Sequence, residues 1–409
     1  DIFIYSRYML LKQYHKLVLK DKVPKILCFS TAYNNTFVFS KVINPGADES
    51  IVHVDANGKV LFEHKYPDII NFFGMLNERE VIVMDQPNSH IDIINLETQK
   101  VRSINHEYLF DDVAQMNIET FYDTKMFAII EKGTFNDPRL RITYYLYEHT
   151  YSPETCKPTA EFQSVENQWT YEFPVKRANN HSMIAWFKYK HEGEVTFNYI
   201  DLRADPHHPK LNVVTVNNTG GQKYGINNFT LSIANVWETK PGQFLIVGNS
   251  NKEANGRNED GIINNNYIID TDTKTLRETT FWFKDPKDGF AWNDQMIEYF
   301  YMGPVSVFHT FRHEAGKTLT TPVYYVSNET EKIVAQETWE ATCYVNFFVP
   351  GFDSGTVIEG FYENGDVQEV GVTVKKVMDP REISLHFMLH LNEDFDDDLL
   401  SDAIDLLHG

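Results

Sequence analysis

Short runs of β-branched and aromatic residues recur along the chain. Each meets a turn signal and is followed by a second short run. The clearest begins with Ile51, Val52 and Val54, turns at Asn57-Gly58 and resumes with Val60, Leu61 and Phe62. Asn-Gly suits a two-residue type I′ turn, in which both turn positions take positive φ. The same form recurs at 91–101, 266–276, 323–334 and 357–367, and more weakly at 142–147 and 195–201. Ahead of most of these hairpins lies a further apolar run, at 37–39, 81–84, 127–130, 184–187, 244–247 and 305–308. Run, loop, hairpin predicts a four-stranded antiparallel unit, repeated about seven times at a spacing of roughly 40–50 residues with longer insertions.

A lone four-stranded sheet cannot bury both of its faces. Radial stacking buries sheet against sheet and leaves only short edges. On these runs and turns the chain resembles a divergent β-propeller of WD-repeat or kelch-like architecture, from Val23 to Val377. It carries no Gly-His…Trp-Asp signature and no kelch double glycine in register, so the resemblance names an architecture and no family. The expected fold is all-β. It is a single propeller of seven four-stranded blades, with six or eight as the neighbouring counts, and short terminal extensions. Residues 1–22 are read as an N-terminal extension or blade-closing strand, 23–377 as the propeller and 378–409 as an acidic amphipathic tail. The segment 5–21 fits a helix with Leu11, Tyr14, Leu17 and Val18 on one side, and fits a strand nearly as well.

Composition sharpens this in three ways. Phe (29) and Tyr (22) are abundant, as half-buried pleated surfaces favour. Lys and Arg number 37 against 58 Asp and Glu, a net charge of −21. That argues against a nucleic-acid partner and against docking on anionic lipid. No apolar run approaches the roughly 18 residues of a membrane-spanning helix. The cysteines, Cys28, Cys156 and Cys343, are far apart, and no CxxC pair exists to build a zinc ribbon. Sequons stand at Asn34, Asn180, Asn217, Asn228 and Asn328. With a start at Asp1 rather than Met, they leave a processed or secreted chain and a cytoplasmic one equally open.

Candidate chemistry fails at identifiable residues. His313-Glu314 begins like a zinc-protease helix, but Lys317 stands where the second His is required. His309 and His313 share one strand face around Phe311, and His207-His208 sit in a Pro-bounded turn; neither set has a third ligand nearby in sequence. The glycine-rich stretch 220–225 lacks the terminal Lys-Ser/Thr of a phosphate loop, with Ile226 following Gly225. The run at 251–256 echoes a calcium loop, but Ile262 holds the position that needs Glu. Asp288-Gly289 to Trp292 approaches a sialidase Asp-box without the residue between Asp and Gly. No catalytic residue, metal ligand or cofactor is assigned.

The tail is the most distinctive segment. On a helix, Phe395, Leu399, Leu400, Ala403, Ile404 and Leu407 share one stripe. Asp396, Asp397 and Asp398 crowd the first turn, where they favour the helix dipole, and Asn392 can cap it. Such a segment suits a groove on a partner, or packing on the propeller's own surface. The reading is a non-catalytic propeller that binds protein partners through rim loops and this tail. The alternative is a carbohydrate-active or glycan-binding propeller with carboxylates near a central channel. Oligomeric state has no signature in the sequence.

Overall fold

The computed structural model describes residues 11–19, 25–42, 48–68, 70, 72–85, 90–109, 113–121, 124–134, 137, 139–147, 157–165, 170–172, 175–179, 182–190, 195–203, 205–218, 233–248, 262–263, 266–279, 283–284, 295–302, 305–312, 318–342, 347–350, 356–363 and 369–377. Among them the helical content is one 3₁₀ turn, Tyr33–Asn35. The first strand is β1 (Leu11–Leu19). A first sheet follows, β2 (Lys25–Ala32), β3 (Thr36–Val42), β4 (Glu49–Val54) and β5 (Val60–Tyr66), paired in chain order. The second is β6 (Phe72–Asn77), β7 (Glu80–Asp85), β8 (His90–Asn95) and β9 (Lys100–Asn105). The third is β10 (Val113–Phe121), β11 (Met126–Gly133), β12 (Arg139–Leu146) and β13 (Ala160–Val165).

A nine-stranded sheet comes next. In its first run β14 (Thr170–Glu172) and β15 (Lys176–Asn179) both pair with β16 (Met183–Lys190), followed by β17 (Val195–Asp201) and β18 (Leu211–Asn218). Its second run starts with β19 (Ile233–Lys240) and β20 (Gln243–Gly248). The short β21 (Ile262–Ile263) leaves the run, which resumes with β22 (Asn266–Asp270) and β23 (Thr275–Glu278); β21 pairs instead with β24 (Phe283–Lys284). Among the described residues the two runs share ladder pairing where Asn217 and Asn218 lie in parallel with Thr275 and Leu276. A further four-stranded sheet is β25 (Gln295–Met302), β26 (Val305–Arg312), β27 (Thr318–Ser327) and β28 (Ile333–Thr342). The closing sheet is β29 (Phe347–Pro350), β30 (Thr356–Glu363), β31 (Glu369–Val377) and, at its outer edge, β1. There Leu11 lies opposite Val377 and Leu19 opposite Val370, antiparallel.

The first strands touch in a cycle. β2 meets β6, β6 meets β10, β10 meets β15, β15 meets β19, β19 meets β25, β25 meets β29, and β29 returns to β2. A ring of radially stacked antiparallel meanders, closed by a strand from the opposite end of the chain, is a β-propeller. Its core lies in the seams between neighbouring sheets, and alternation divides each middle strand between two of them. Val81 and Val83 on β7 pack with Val38 and Ile51 of the first sheet, whereas Ile82 and Met84 pack with Ile118, Phe127 and Ile129 of the third. Trp186 joins the seam with Ile130, Leu140 and Tyr144, and Phe197 the seam with Phe244 and Ile269. Second and third strands are therefore buried on both faces, as along all of β4 and β7, while the outer β5 is largely exposed.

The turn at Asn57-Gly58 differs from the expected type I′. Of the two residues only Gly58 has positive φ, 83°. The Gly58 amide donates to the Asp55 carbonyl at 3.0 Å, and the register shifts between His53 and Val54. The Asp55 carboxylate decides the matter by accepting from the amides of Asn57 (2.8 Å) and Lys59 (2.9 Å). This holds a turn with a glycine bulge in place of the two-residue form.

Candidate interaction face

In an antiparallel meander the first-to-second and third-to-fourth turns of every sheet emerge at the same end. Here those turns are locked to one another. The amide of Leu96 donates to Arg79 O (2.8 Å), Tyr147 to Lys125 O (2.8 Å), Leu202 to Ser182 O (3.1 Å) and Thr271 to Gly242 O (2.9 Å). Lys125, Ser182 and Gly242 take positive φ to present those carbonyls. The third-to-fourth turns carry a second device. Asn95 Oδ1 accepts from the amides of Glu97 and Thr98, and Asp270 Oδ1 from those of Asp272 and Thr273. Ser327 Oγ accepts from the Thr330 amide. Each such turn ends on a residue with positive φ, Gln99, Lys274 and Glu331 respectively. Side-chain acceptors of this kind satisfy turn amides that a strand ladder cannot reach.

The locked turns are also tied across the seams. The Tyr33 amide donates to Glu78 O at 2.9 Å, and the Arg79 guanidinium lies 5.9 Å from the Tyr33 ring centroid. Lys240 Nζ donates to Glu329 O at 3.0 Å, and Arg277 pairs with Glu331. Around this frame Asn34, Asn35, Glu78, Arg79, Glu97 and Thr98 are exposed.

A polar cluster occupies the junction of β10, β15 and β19. Asn117 donates to Glu119 Oε1 (2.8 Å), and Arg177 donates to Thr120 O (2.7 Å) while lying 5.8 Å from the Trp237 ring centroid. Burial pushes the Glu119 carboxyl above its ordinary range, against the pull of Arg177 and Lys176. Towards the turns, Glu238 accepts from Asn179 (2.7 Å), from Arg203 (2.9 Å) and from the Gly242 amide (3.3 Å). The same Arg203 clamps Asp201 through Nε at 2.9 and 2.8 Å. Its hydrogen bonds to the Asp201 and Glu238 carboxylates stabilise the charged guanidinium further. A carboxylate with its lone pairs taken by fixed donors holds geometry; it is poorly placed to exchange protons with a substrate.

A second charged cluster lies inside the third sheet. Glu131 on β11 accepts from Arg141 Nε (2.6 Å) and from the Leu109 amide (2.7 Å), with His106 Nε2 at 3.4 Å. His106 Nδ1 lies 3.1 Å from the Tyr145 hydroxyl. Burial alone would raise the Glu131 carboxyl, but hydrogen bonds from His106 and Leu109 and the Arg141 charge outweigh it and hold the group low.

The residues singled out from sequence fall unevenly. Phe395, Leu399, Leu400, Ala403, Ile404 and Leu407 lie outside the described residues, as do Asn180, Asn228, His313, Cys156, Cys343 and the stretches 220–225, 251–256 and 288–292. Asn34 is exposed in the 3₁₀ turn with φ 54°. Asn217 sits in β18 at the parallel joint. Asn328 is 9% exposed, and its side-chain oxygen accepts from Ser306 Oγ. His208 is exposed and bonded through Nδ1 to Asp205 at 2.8 Å, within the turn it caps. Sequence reading missed Arg203, Glu238 and the turn caps. The caps had a signal: an Asn, Asp or Ser opening the turn, with Thr three residues on.

No protein-family model and no curated protein sequence matches the chain. Among solved structures it is similar to Chaetomium thermophilum Raptor, at 10% identity and a TM-score of 0.50 over 92% of this chain and 30% of that one. It is also similar to the RRP9 WD40 repeats (8% identity, TM-score 0.47, 90% of this chain and 100% of that one). The N-terminal domain of Nup159 is a third (11% identity, TM-score 0.45, 90% and 95%). At these identities the likeness is one of fold. The ring of meanders itself makes the chain an all-β propeller.

Proposed function

We propose that this chain is a non-catalytic β-propeller interaction module or assembly subunit that binds protein partners. The observation that carries the reading is the turn face, a frame of cross-braced turns whose outward residues are polar and of both signs. Such a surface is preorganised, so association loses little to ordering it. Counting the nine-stranded sheet as two blades, divided at its parallel joint, makes seven blades in all, with residues 23–377 and β1 forming the ring. The net charge of −21 favours protein over nucleic acid as the partner. The acidic tail is a second contact, with Phe395, Leu399, Leu400, Ala403, Ile404 and Leu407 as its apolar stripe. A stripe that short does not hold a helix alone in water, so a covering groove with a basic rim is its complement.

The test compares the full chain, the chain lacking 392–409 and an Arg79→Glu, Glu97→Arg variant in co-purification from the native source. The expected result is a defined complex that each change weakens, with the melting temperature of the truncated chain nearly unchanged. A complex indifferent to both changes would sink the proposal. So would turnover of a glycoside that disappears on changing one channel carboxylate.

A further inference from the structure

We infer that His53 makes the seam between the first and second sheets acid-sensitive, acting as a built-in pH latch on the Tyr33–Asn35 turn. The argument begins with one proton. Thr36 Oγ1 donates to Tyr33 O at 2.7 Å, which commits its single hydrogen. His53 Nε2 lies 2.8 Å from the same oxygen, so the imidazole must donate and Thr36 must accept. That fixes the neutral tautomer with the hydrogen on Nε2. Nδ1 is then a bare lone pair, and His53 is 1% exposed with no partner for Nδ1 among the described residues.

Protonation would place a cation and a second N–H donor where neither has a partner, which is strongly unfavourable. Among the described residues the surroundings offer no relief. The Tyr33 ring lies 5.7 Å away on one side. β3 and β5 place Val38 and Phe62 opposite His53. The charged groups that the second sheet brings to this turn, Glu78, Arg79 and Glu97, are spent on one another: Arg79 pairs with Glu78 at 3.3 Å and with Glu97 at 3.4 Å. Burial accordingly lowers the affinity of His53 for a proton.

Protonation leaves the Nε2–H donor in place, so relief comes only by opening the turn to water, and the contact given up on opening is structural. His53 and Thr36 together hold the carbonyl of Tyr33, whose amide reaches Glu78 O in the next sheet. Asn34 and Asn35 both sit at positive φ, 54° and 57°, so the turn stores local strain that these bonds restrain. The unfolded or opened chain takes up the proton more readily than the closed one. Closure is thus fully stabilised above the ordinary histidine range, near pH 6.5, and loses stability as pH falls below it.

The experiment follows the Tyr33 amide by hydrogen exchange, corrected for intrinsic rate, at pH 7.5 and pH 5.5 in the full chain and in His53→Gln. Glutamine keeps a donor near the Nε2 position and cannot titrate. Protection at Tyr33 should fall several-fold at pH 5.5 in the natural chain, with about tenfold the ceiling for a single imidazole, and stay level in the variant. Equal protection at both pH values in the natural chain overturns the inference, as does an equal loss in both proteins. Should His53→Gln fail to fold, imidazole NMR of the natural chain decides. A histidine that stays neutral with its hydrogen on Nε2 down to below pH 6 supports the latch. If every imidazole titrates at or above pH 6.5, the latch does not exist.

Discussion

Two clusters of the same ingredients sit a few strands apart and behave as opposites. Glu131 and Arg141 are sealed inside the third sheet, with Glu131 fully buried. Glu238, Asp201 and Arg203 form a comparable network at the turn face, where the Arg203 side chain remains 38% exposed. In the buried cluster the two charges are shielded from water and rely on each other and on fixed hydrogen bonds. In the exposed one, water competes for the bonds of Arg203, although Glu238 itself is only 8% exposed. The contrast shows which of this propeller's polar contacts hold the fold and which shape its surface.

The contrast breaks most visibly at Arg141. Arg141→Met leaves Glu131 ionised and buried, which should cost about 3–5 kcal/mol, read as a lower urea midpoint. Adding Glu131→Leu should recover most of the loss, because a buried pair replaced by packed apolar groups is often neutral. A double variant as unstable as the single one would show that packing, not charge, is at stake. Acid sharpens the same point. Glu131 is held below its ordinary 4.5, so its contribution is complete above pH 4.5 and drains away as pH falls through the lower folded value. The Arg141→Met chain should show a weaker acid limb in a stability-against-pH series.

At the exposed cluster the backbone outranks the charges. Gly242 has φ 75°, and an added Cβ would stand 3.0 Å from Thr271 Oγ1. Gly242→Ala should therefore cost about 1–2 kcal/mol by thermal denaturation. Arg203→Ala should cost less than about 1 kcal/mol after solvent screening, and the difference should vanish in high salt. A larger, salt-independent loss would mean that Arg203 belongs with the buried class.

Burial also explains how much of the fold was legible. The runs at 37–39, 81–84, 127–130, 184–187, 244–247 and 305–308 are all second strands, each lying within β3, β7, β11, β16, β20 or β26. Both faces of such strands meet a neighbouring sheet, so they read as unbroken apolar stretches. Most hairpins read from sequence are third-to-fourth turns. The one near 364 joins the second and third strands of its sheet, because β1 supplies the fourth. First and fourth strands carry Asn117, Glu119, Arg177 and Glu238, or the exposed Val60 and Leu61, and so lack that signature. The polar junction stayed hidden for a related reason. Its members are up to about 120 residues apart in sequence, and loop closure on that scale leaves no local pattern. His53 reads as one more polar residue in an alternating strand until the hydroxyl beside it is counted.

The pairing of β1 with β31 sets a timetable as well as a boundary. Both partners of every other outer strand are made within one stretch of synthesis, but Leu11 must wait for Val377. About 370 residues separate them, so at roughly 5–20 residues per second the first strand stays unpaired for about 20–70 seconds on a translating ribosome. Throughout that interval an apolar edge carrying Leu17, Val18 and Leu19 has no sheet to join. Pairing of β1 with β31 is a long-range closure, slow by nature. Chaperone demand for this protein should concentrate on its first strand.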